Sequence, residues 1–375
     1  MDHIVDLKNL HSFISNVFII FGAGAADSRT AADVLIFADQ RGMRSHGVGN
    51  LERIYLNRIR LGRIDPSATP QLVHEDHATA LLDGKSGLGL VVATRAMDLA
   101  IQKARQYGVA VVAVRNSSHF GAASYYSVRA MNANLIGVAM SNLGSQTIVR
   151  PPEGAMNLVG TNPITIAAPA LELPPFVLDM STSIVATGKI RMAQQRGEAV
   201  PAGWLVDDNG NDVTDPKRFV DGEAYLQFPG GSGGYKGFGL ALAVDVLSGI
   251  LSGAAVGPDP KLLQPGNTSS ALDDENVGHL LLAIDIARFR SPGEFKNAMD
   301  QMLQAVLDCP PRANSSSPVY PGYPEAQSAS SQLGSVMIDA CDYDALARLA
   351  AELRLEPPQI INESRTLAEE ETQCA

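Results

Sequence analysis

The feature that most constrains this chain is a change in the spacing of its apolar residues near Ala78. Before that point Leu7, Leu10, Phe13, Ile14, Val17, Phe18 and Phe21 recur at intervals of three and four, which lines one face of a helix, and Gly22-Ala23-Gly24 ends the pattern. A second helix follows, with Asp27 or Ser28 able to cap its first turn, Val34, Leu35 and Ala38 as its apolar stripe, and Gly42 as its stop. Leu51, Ile54, Tyr55 and Ile59 mark a third helical pattern. After Ala78 the chain turns to short β-branched runs separated by helical stretches such as Leu90–Tyr107. Ala78–Asp83, Val109–Val114, Leu135–Met140, Ile164–Ala168, Phe176–Met180 and the later His279–Ile286 read as strands of a mixed α/β sheet. No repeat, heptad or biased tract interrupts this order, which argues against a scaffold or coiled coil.

With 375 residues the chain is too long for one hydrophobic core, so two domains are expected. Its formal net charge of −11 argues against affinity for nucleic acid or anionic membrane, both of which select basic surface. A small anionic substrate therefore needs a local positive pocket. Cys309, Cys341 and Cys374 are odd in number and lack close ligand spacing, so neither a disulfide framework nor a metal site is expected. Met1-Asp2-His3-Ile4 carries acid where a signal peptide carries base. The most apolar tract, Phe238–Val256, is broken by Asp245 and reads as a buried helix, so the expected location is cytoplasmic.

Three polar clusters could carry chemistry. Asp39-Gln40-Arg41-Gly42-Met43-Arg44-Ser45-His46-Gly47 gathers cation, hydroxyl and imidazole in a loop between helices; His46 either exchanges a proton with a substrate hydroxyl or is a solvated residue ending a helix. Asn116-Ser117-Ser118-His119-Phe120-Gly121 follows a strand, where ligands of α/β sheets sit, yet the same residues could simply cap the next helix. Asp179 ends the run Phe176-Val177-Leu178 and can orient an imidazole, hold a ribose hydroxyl or cap a helix.

Pro229-Gly230-Gly231-Ser232-Gly233-Gly234 is a Gly-rich hinge candidate, and Lys236 behind it, at the start of a helical pattern, suits an anion. The Walker order fails because Gly237 follows Lys236, and no Gly-x-Gly-x-x-Gly stands between a strand and a helix. No Gly-x-Ser-x-Gly elbow supports a nucleophilic hydrolase. Gly293–Leu307 is expected to be helical with Phe295, Met299, Met302 and Val306 as its stripe, and Pro310–Pro324 to be an exposed connector.

Taken in order, Ala38-Asp39 with Arg41-Gly42, Ser45-His46-Gly47, Ser118-His119-Phe120-Gly121, Thr161-Asn162-Pro163, Leu178-Asp179-Met180-Ser181-Thr182-Ser183 and Tyr235-Lys236-Gly237-Phe238-Gly239 resemble the malate/L-lactate dehydrogenase-like family. That family includes ureidoglycolate and sulfolactate dehydrogenases, diketogulonate reductases and cyclic imino acid reductases. The resemblance implies a homodimer with a non-Rossmann fold. In it, a helical domain of residues 1–75 and about 230–375 receives a mixed-sheet cofactor domain of about 76–229. It implies NAD or NADP as cofactor and a small carboxylate as substrate. His119 resembles the proton acceptor of the ureidoglycolate enzymes and His46 the imidazole of the reductases, with Asp179 able to orient a histidine. The cofactor set implied is Ser118, Leu143, Asp179, Met180, Ser181 and Lys236, joined by Gly322, Tyr323 and Pro324. Ser45 belongs to the implied substrate set. Family members carry an Arg shortly after Ser-His-Gly, where this chain has Asn50 and a segment one residue longer. Either Arg53 or Arg44 meets the substrate carboxylate or the acid group is bound differently, and the same departure leaves open a nucleotide-binding homologue without turnover.

Overall fold

The computed structural model describes residues 2–230, 234–264 and 276–361. In chain order its elements are β1 (His3–Asp6), α1 (Leu7–Ile20), α2 (Ala25–Gln40), α3 (Asn57–Arg60), β2 (Gln71–Asp76), β3 (Thr79–Asp83), α4 (Gly89–Tyr107), β4 (Val109–Ser117), α5 (Ser124–Asn132) and β5 (Leu135–Ser141). There follow β6 (Ile164–Ala168), β7 (Phe176–Met180), α6 (Thr187–Arg196), β8 (Leu205–Val206), β9 (Asp212–Val213), α7 (Pro216–Val220), β10 (Tyr225–Leu226), α8 (Tyr235–Val244), β11 (Val277–Asp285), α9 (Pro292–Leu307), α10 (Tyr323–Ser331), β12 (Ser335–Ile338) and α11 (Ala340–Leu353). These form two compact units, one holding the chain up to Ser67 and from Pro324 on, the other Ala68–Tyr323.

In the first unit α1 begins where the Asp6 carboxylate accepts from Asn9 N–H at 2.7 Å. Its predicted stripe buries Leu10, Ile14, Val17 and Phe18, and the Phe18 ring meets Tyr55 edge-on at 6.3 Å. Neither Asp27 nor Ser28 caps α2. Gly24 holds the cap position, and Ser28 lies one turn inside, so its hydroxyl bonds back to Gly24 O at 3.0 Å. The third helical pattern opens as a wide π-type turn over Leu51–Leu56 before α3. β1 and β12 pair antiparallel, joining the two ends of this unit.

The second unit is built on a seven-stranded sheet of order β2-β3-β4-β11-β5-β6-β7. Only β3 and β4 run parallel, linked by α4; every other neighbouring pair is antiparallel. Alanines of α4, including Ala96, Ala100 and Ala104, let that helix lie close against Val112, Val114 and Leu281 of the sheet. β11 sits between β4 and β5, so Val277–Leu281 are buried without alternation. With β11 at its centre, the compact second unit continues past the boundary that the resemblance implied near residue 230. A small sheet, β10-β8-β9, has its own core of Val149, Ile190, Leu205, Leu226 and Phe228.

The tract expected to be a buried helix forms α8 and a π-type turn over Asp245–Ile250, and no helix among the described residues is long and apolar enough to cross a membrane. α9 forms as expected but buries only Leu303 fully, leaving Met302 exposed. The Pro310–Pro324 stretch is exposed up to Val319, whereas Tyr320 is buried because its hydroxyl donates to Pro174 O at 2.7 Å. Cys309 and Cys341 are exposed free thiols; Cys374 and Gly231-Ser232-Gly233 lie outside the described residues.

Candidate active site

In the first unit Arg44–His46 form a single tight turn, and Ser45 Oγ lies 2.9 Å from His46 Nδ1. What holds this loop is Asp39, buried at the end of α2, whose carboxylate accepts from Val48 N–H at 2.8 Å. Gly47 packs directly on that carboxylate: a Cβ there would fall 1.8 Å from Asp39 Oδ1. Burial raises the Asp39 carboxyl well above its ordinary range; the Val48 bond opposes this, Asp342 and Asp339 add to it, and Arg44 offsets part.

Asn50, at the place where the resemblance expects Arg, is 2 % exposed, so its side chain is engaged internally and presents nothing to solvent. Its amide nitrogen donates to Ser45 O at 2.9 Å and its amide oxygen accepts from Arg53. Arg44 is committed to Asp2, at 2.9 Å, and to Asp339. The exposed guanidinium next to the Ser-His-Gly loop is therefore that of Arg53, tethered by Asn50.

In the second unit β4 leads into Ser118, which is buried, accepts from Gly89 N–H at 2.8 Å and donates to Gly87 O at 3.0 Å. It thereby ties the end of β4 to the start of α4. His119 is half-buried, and its Nδ1 accepts from Gly121 N–H at 3.3 Å, which in the neutral ring leaves the proton on Nε2. Phe120 is buried, with Tyr126 on one side at 4.9 Å and His279 stacked at 4.8 Å. The Tyr126 hydroxyl donates to Phe120 O.

Asp179 does cap a helix, though not one that follows it: from β7 it accepts from Ser124 N–H at 2.8 Å, in the first turn of α5 just beyond the His119 loop. The same strand receives the later segment, since Val177 N–H donates to Pro321 O at 3.0 Å. Gly322, at φ +94°, packs so close to Val177 N that a Cβ would come within 2.8 Å. The structure thus sets Gly322 against Pro175 and against Val177 of β7, the strand that ends in Asp179 and Met180, with Tyr323 beside Tyr320 at 5.2 Å and Ser181 Oγ donating to Ser183 O at 3.0 Å. Leu143 packs against the bare face of Gly160, while Pro324 is counted in the other unit. Lys236 is exposed in the first turn of α8, whose N-cap Gly234 offers no side-chain cap. Gly237 N–H in this turn donates to Pro229 O at 3.0 Å, and the exposed Lys236 ammonium at the helix start suits a phosphate, the chemical point at which these residues fit a dinucleotide.

Some polar residues carry more of this architecture than their sequence neighbourhoods announce. Asp245 is buried at the far end of α8 from Lys236, its carboxylate held by Asn142 Nδ2 at 3.1 Å and Asn162 Nδ2 at 2.8 Å. Burial raises its carboxyl and the two amides pull it back down. The available signal was a lone acid in the most apolar tract of the chain. For His279, inside an apolar strand, nothing local distinguished a functional from a packing role.

The malate/L-lactate dehydrogenase family pattern matches residues 5–346. A malate dehydrogenase of Pyrococcus abyssi is 40% identical over 300 residues, covering 79% of this chain and 80% of that protein. An L-sulfolactate dehydrogenase of Methanocaldococcus jannaschii is 37% identical over 348 residues, covering 93% and 96%. Among solved structures, malate dehydrogenase from Entamoeba histolytica superposes with a TM-score of 0.88 at 29% identity, covering 96% of this chain and 100% of the other. The Δ1-piperideine-2-carboxylate reductase of Pseudomonas syringae pvar. tomato superposes with a TM-score of 0.75 at 27% identity, covering 92% and 99%.

Proposed function

The chain belongs to the malate/L-lactate dehydrogenase family, and from that premise we propose that it interconverts the C2 hydroxyl and carbonyl of a small 2-hydroxy acid, with His119 as the proton-transfer group. NAD or NADP supplies the hydride chemistry when bound. Lys236 at the start of α8, with Asp179, Met180, Gly322 and Tyr323, are the residues that would hold it, with Ser118, Leu143 and Ser181 as lesser contributors.

The observation that carries the reading is the setting of His119. A bond from Gly121 N–H fixes which ring nitrogen bears the proton, and the flanking residues are buried and engaged, so the imidazole is oriented before any ligand arrives. Arg53 is assigned to the substrate carboxylate because its guanidinium is exposed, with Asp342 as an electrostatic neighbour, whereas Arg44 is paired with both Asp2 and Asp339. The test is oxidation of NADH and NADPH against a panel of 2-oxo acids. His119→Ala should lower kcat by ~10²–10⁴-fold, and Arg53→Ala should raise the KM of the acid. Unchanged turnover in both His119→Ala and His46→Ala defeats the assignment.

A second reading, reduction of a cyclic imino acid with His46 as proton donor, is favoured by the likeness to the piperideine-carboxylate reductase and by the Ser45 hydroxyl held on His46 Nδ1. Turnover of a cyclic imine, with none of any 2-oxo acid, would establish it in place of the first. The active species is proposed to be a homodimer, since Val246, Ile250 and Leu251 expose a run of apolar side chains that a second copy would cover. Light scattering should then give about twice the 39.7 kDa of one chain.

A further inference from the structure

The second unit buries one imidazole, outside the residues assigned above, whose two nitrogens are both engaged. His279 is fully buried on β11. Its Nδ1 lies 2.8 Å from Ser141 Oγ on β5 and its Nε2 2.8 Å from Ser117 Oγ on β4. Ser141 Oγ has two carbonyl acceptors, Asn142 O at 2.9 Å and Gly278 O at 3.2 Å, and with its single proton directed to either of them it accepts from His279 Nδ1–H. Nε2 is then the acceptor, and the Ser117 hydroxyl donates to it. Burial pushes the imidazole down to about 3, so the ring is neutral across the whole range in which the enzyme would work.

The ring's face lies 4.8 Å from Phe120 at an interplanar angle of 5°, and Tyr126 closes the other side of Phe120. Ser117 and Phe120 are the two residues that bracket Ser118-His119. His279 therefore grips both ends of the His119 segment, one by a hydrogen bond and one by stacking.

We propose that His279 is a positioning residue for His119: its two serine bonds fix the plane of its ring, that plane seats Phe120, and Phe120 sets the direction of the adjacent imidazole. The inference rests on the reading of His119 as the proton-transfer group, but it also makes a claim about His119 that needs no turnover. A displacement of the order of 1 Å at a reacting group can cost about 10²-fold in rate. Loosening this clamp should cost kcat about 10- to 100-fold, while cofactor affinity, in which Ser118 is only a lesser contributor and is held by its own bonds to Gly87 and Gly89, stays within about threefold.

The experiment uses full-length protein carrying His279→Gln or, as a milder change that keeps the ring, Ser117→Ala. The ¹⁵N–¹H side-chain spectrum of the histidines, with the His119 signal assigned by its loss in His119→Ala, is recorded without substrate or cofactor. NADH affinity by fluorescence, kcat, and the solvent deuterium isotope effect on kcat complete the set. The expected result is a His119 signal that moves from a single Nε2–H pattern towards averaging, a lower kcat with a larger solvent isotope effect, and unchanged NADH affinity. A His119 signal identical to wild type in a folded variant overturns the proposal, as does a loss of kcat shared equally with NADH binding. If His279→Gln does not fold, Ser117→Ala decides by the same readings. If His119→Ala itself keeps full turnover, the proton-transfer reading has failed, and the spectrum still tells whether His279 orients His119.

Discussion

Replacing Gly47 by Ala tests how the Ser45-His46 loop is held. Gly47 has φ −87°, which any residue can adopt, so backbone strain plays no part. The added methyl would sit 1.8 Å from Asp39 Oδ1, 2.2 Å from its Cγ and 2.4 Å from Oδ2, well inside any non-bonded contact. Something must move by more than about 1 Å. If the Asp39 carboxylate turns aside, Val48 N–H loses its acceptor in a buried setting, at about 1–3 kcal/mol. Residual overpacking adds about 1–3 kcal/mol, so the total loss is roughly 2–6 kcal/mol. If the loop moves instead, His46 and Asn50 are displaced and the tether on Arg53 goes with them. Urea unfolding of wild type and Gly47→Ala should therefore show a lower midpoint at unchanged m, and substrate KM should rise. Gly239→Ala is the control: among the described residues nothing outside its own stretch of α8 lies within 4 Å of the added methyl, and it should gain about 0.5–1 kcal/mol. Wild-type stability and KM in Gly47→Ala would refute the packing argument.

Two predictions concern protons. Asp39, raised above its ordinary value by burial, contributes stability that is complete below about pH 4 and is lost as pH rises through its folded value. Asp39→Asn keeps an acceptor for Val48 N–H and cannot titrate, so its stability relative to wild type should improve between pH 5 and pH 8. A difference that stays constant would show that the carboxyl does not titrate upward. His279 has the opposite sign: its folded value of about 3 lies below the ordinary 6.5, so the unfolded chain binds a proton that the folded chain refuses. Wild type should lose about 1.4 kcal/mol per pH unit as pH falls from 6.5 towards 3. His279→Gln should lack that slope. The buried carboxyls titrate in both proteins and cancel in the comparison, and equal slopes in the two would contradict a neutral His279.

The apolar spacing reveals the strands that carry core residues, and every run read as a strand from Ala78 to Ile286 forms one. What it conceals has physical causes. β2 is exposed along its whole length, so it offers no alternation to read. β8, β9 and β10 have two residues each, too few for any period. The resemblance implied a boundary near residue 230, and no local spacing shows that β11 enters the sheet between strands that precede it by more than a hundred residues. Ser118, His119, Asp179 and Lys236 could be picked out as polar residues at element ends. Their settings could not: Asp179 caps a helix that comes earlier in the chain, and Asn50 turned out to be buried between Ser45 and Arg53.

The position of β11 explains why a strand interior carries a histidine at all. A strand shifted by one residue turns every side chain to the opposite face, and an all-apolar strand between two apolar neighbours resists that slip only through packing. At residue 279 a slip would break both serine bonds and the Phe120 stack together, leaving buried hydroxyls and a buried imidazole unsatisfied at about 1–3 kcal/mol each. The β-bulge between Val277 and His279 reinforces this, because it sets Gly278 where its N–H donates to Asn142 Oδ1 at 2.9 Å and where a Cβ would strike Ser248 O at 2.0 Å. The register that fixes β11 in the sheet is thus the register that places a ring against Phe120, and the orientation of His119 follows from how the sheet is assembled.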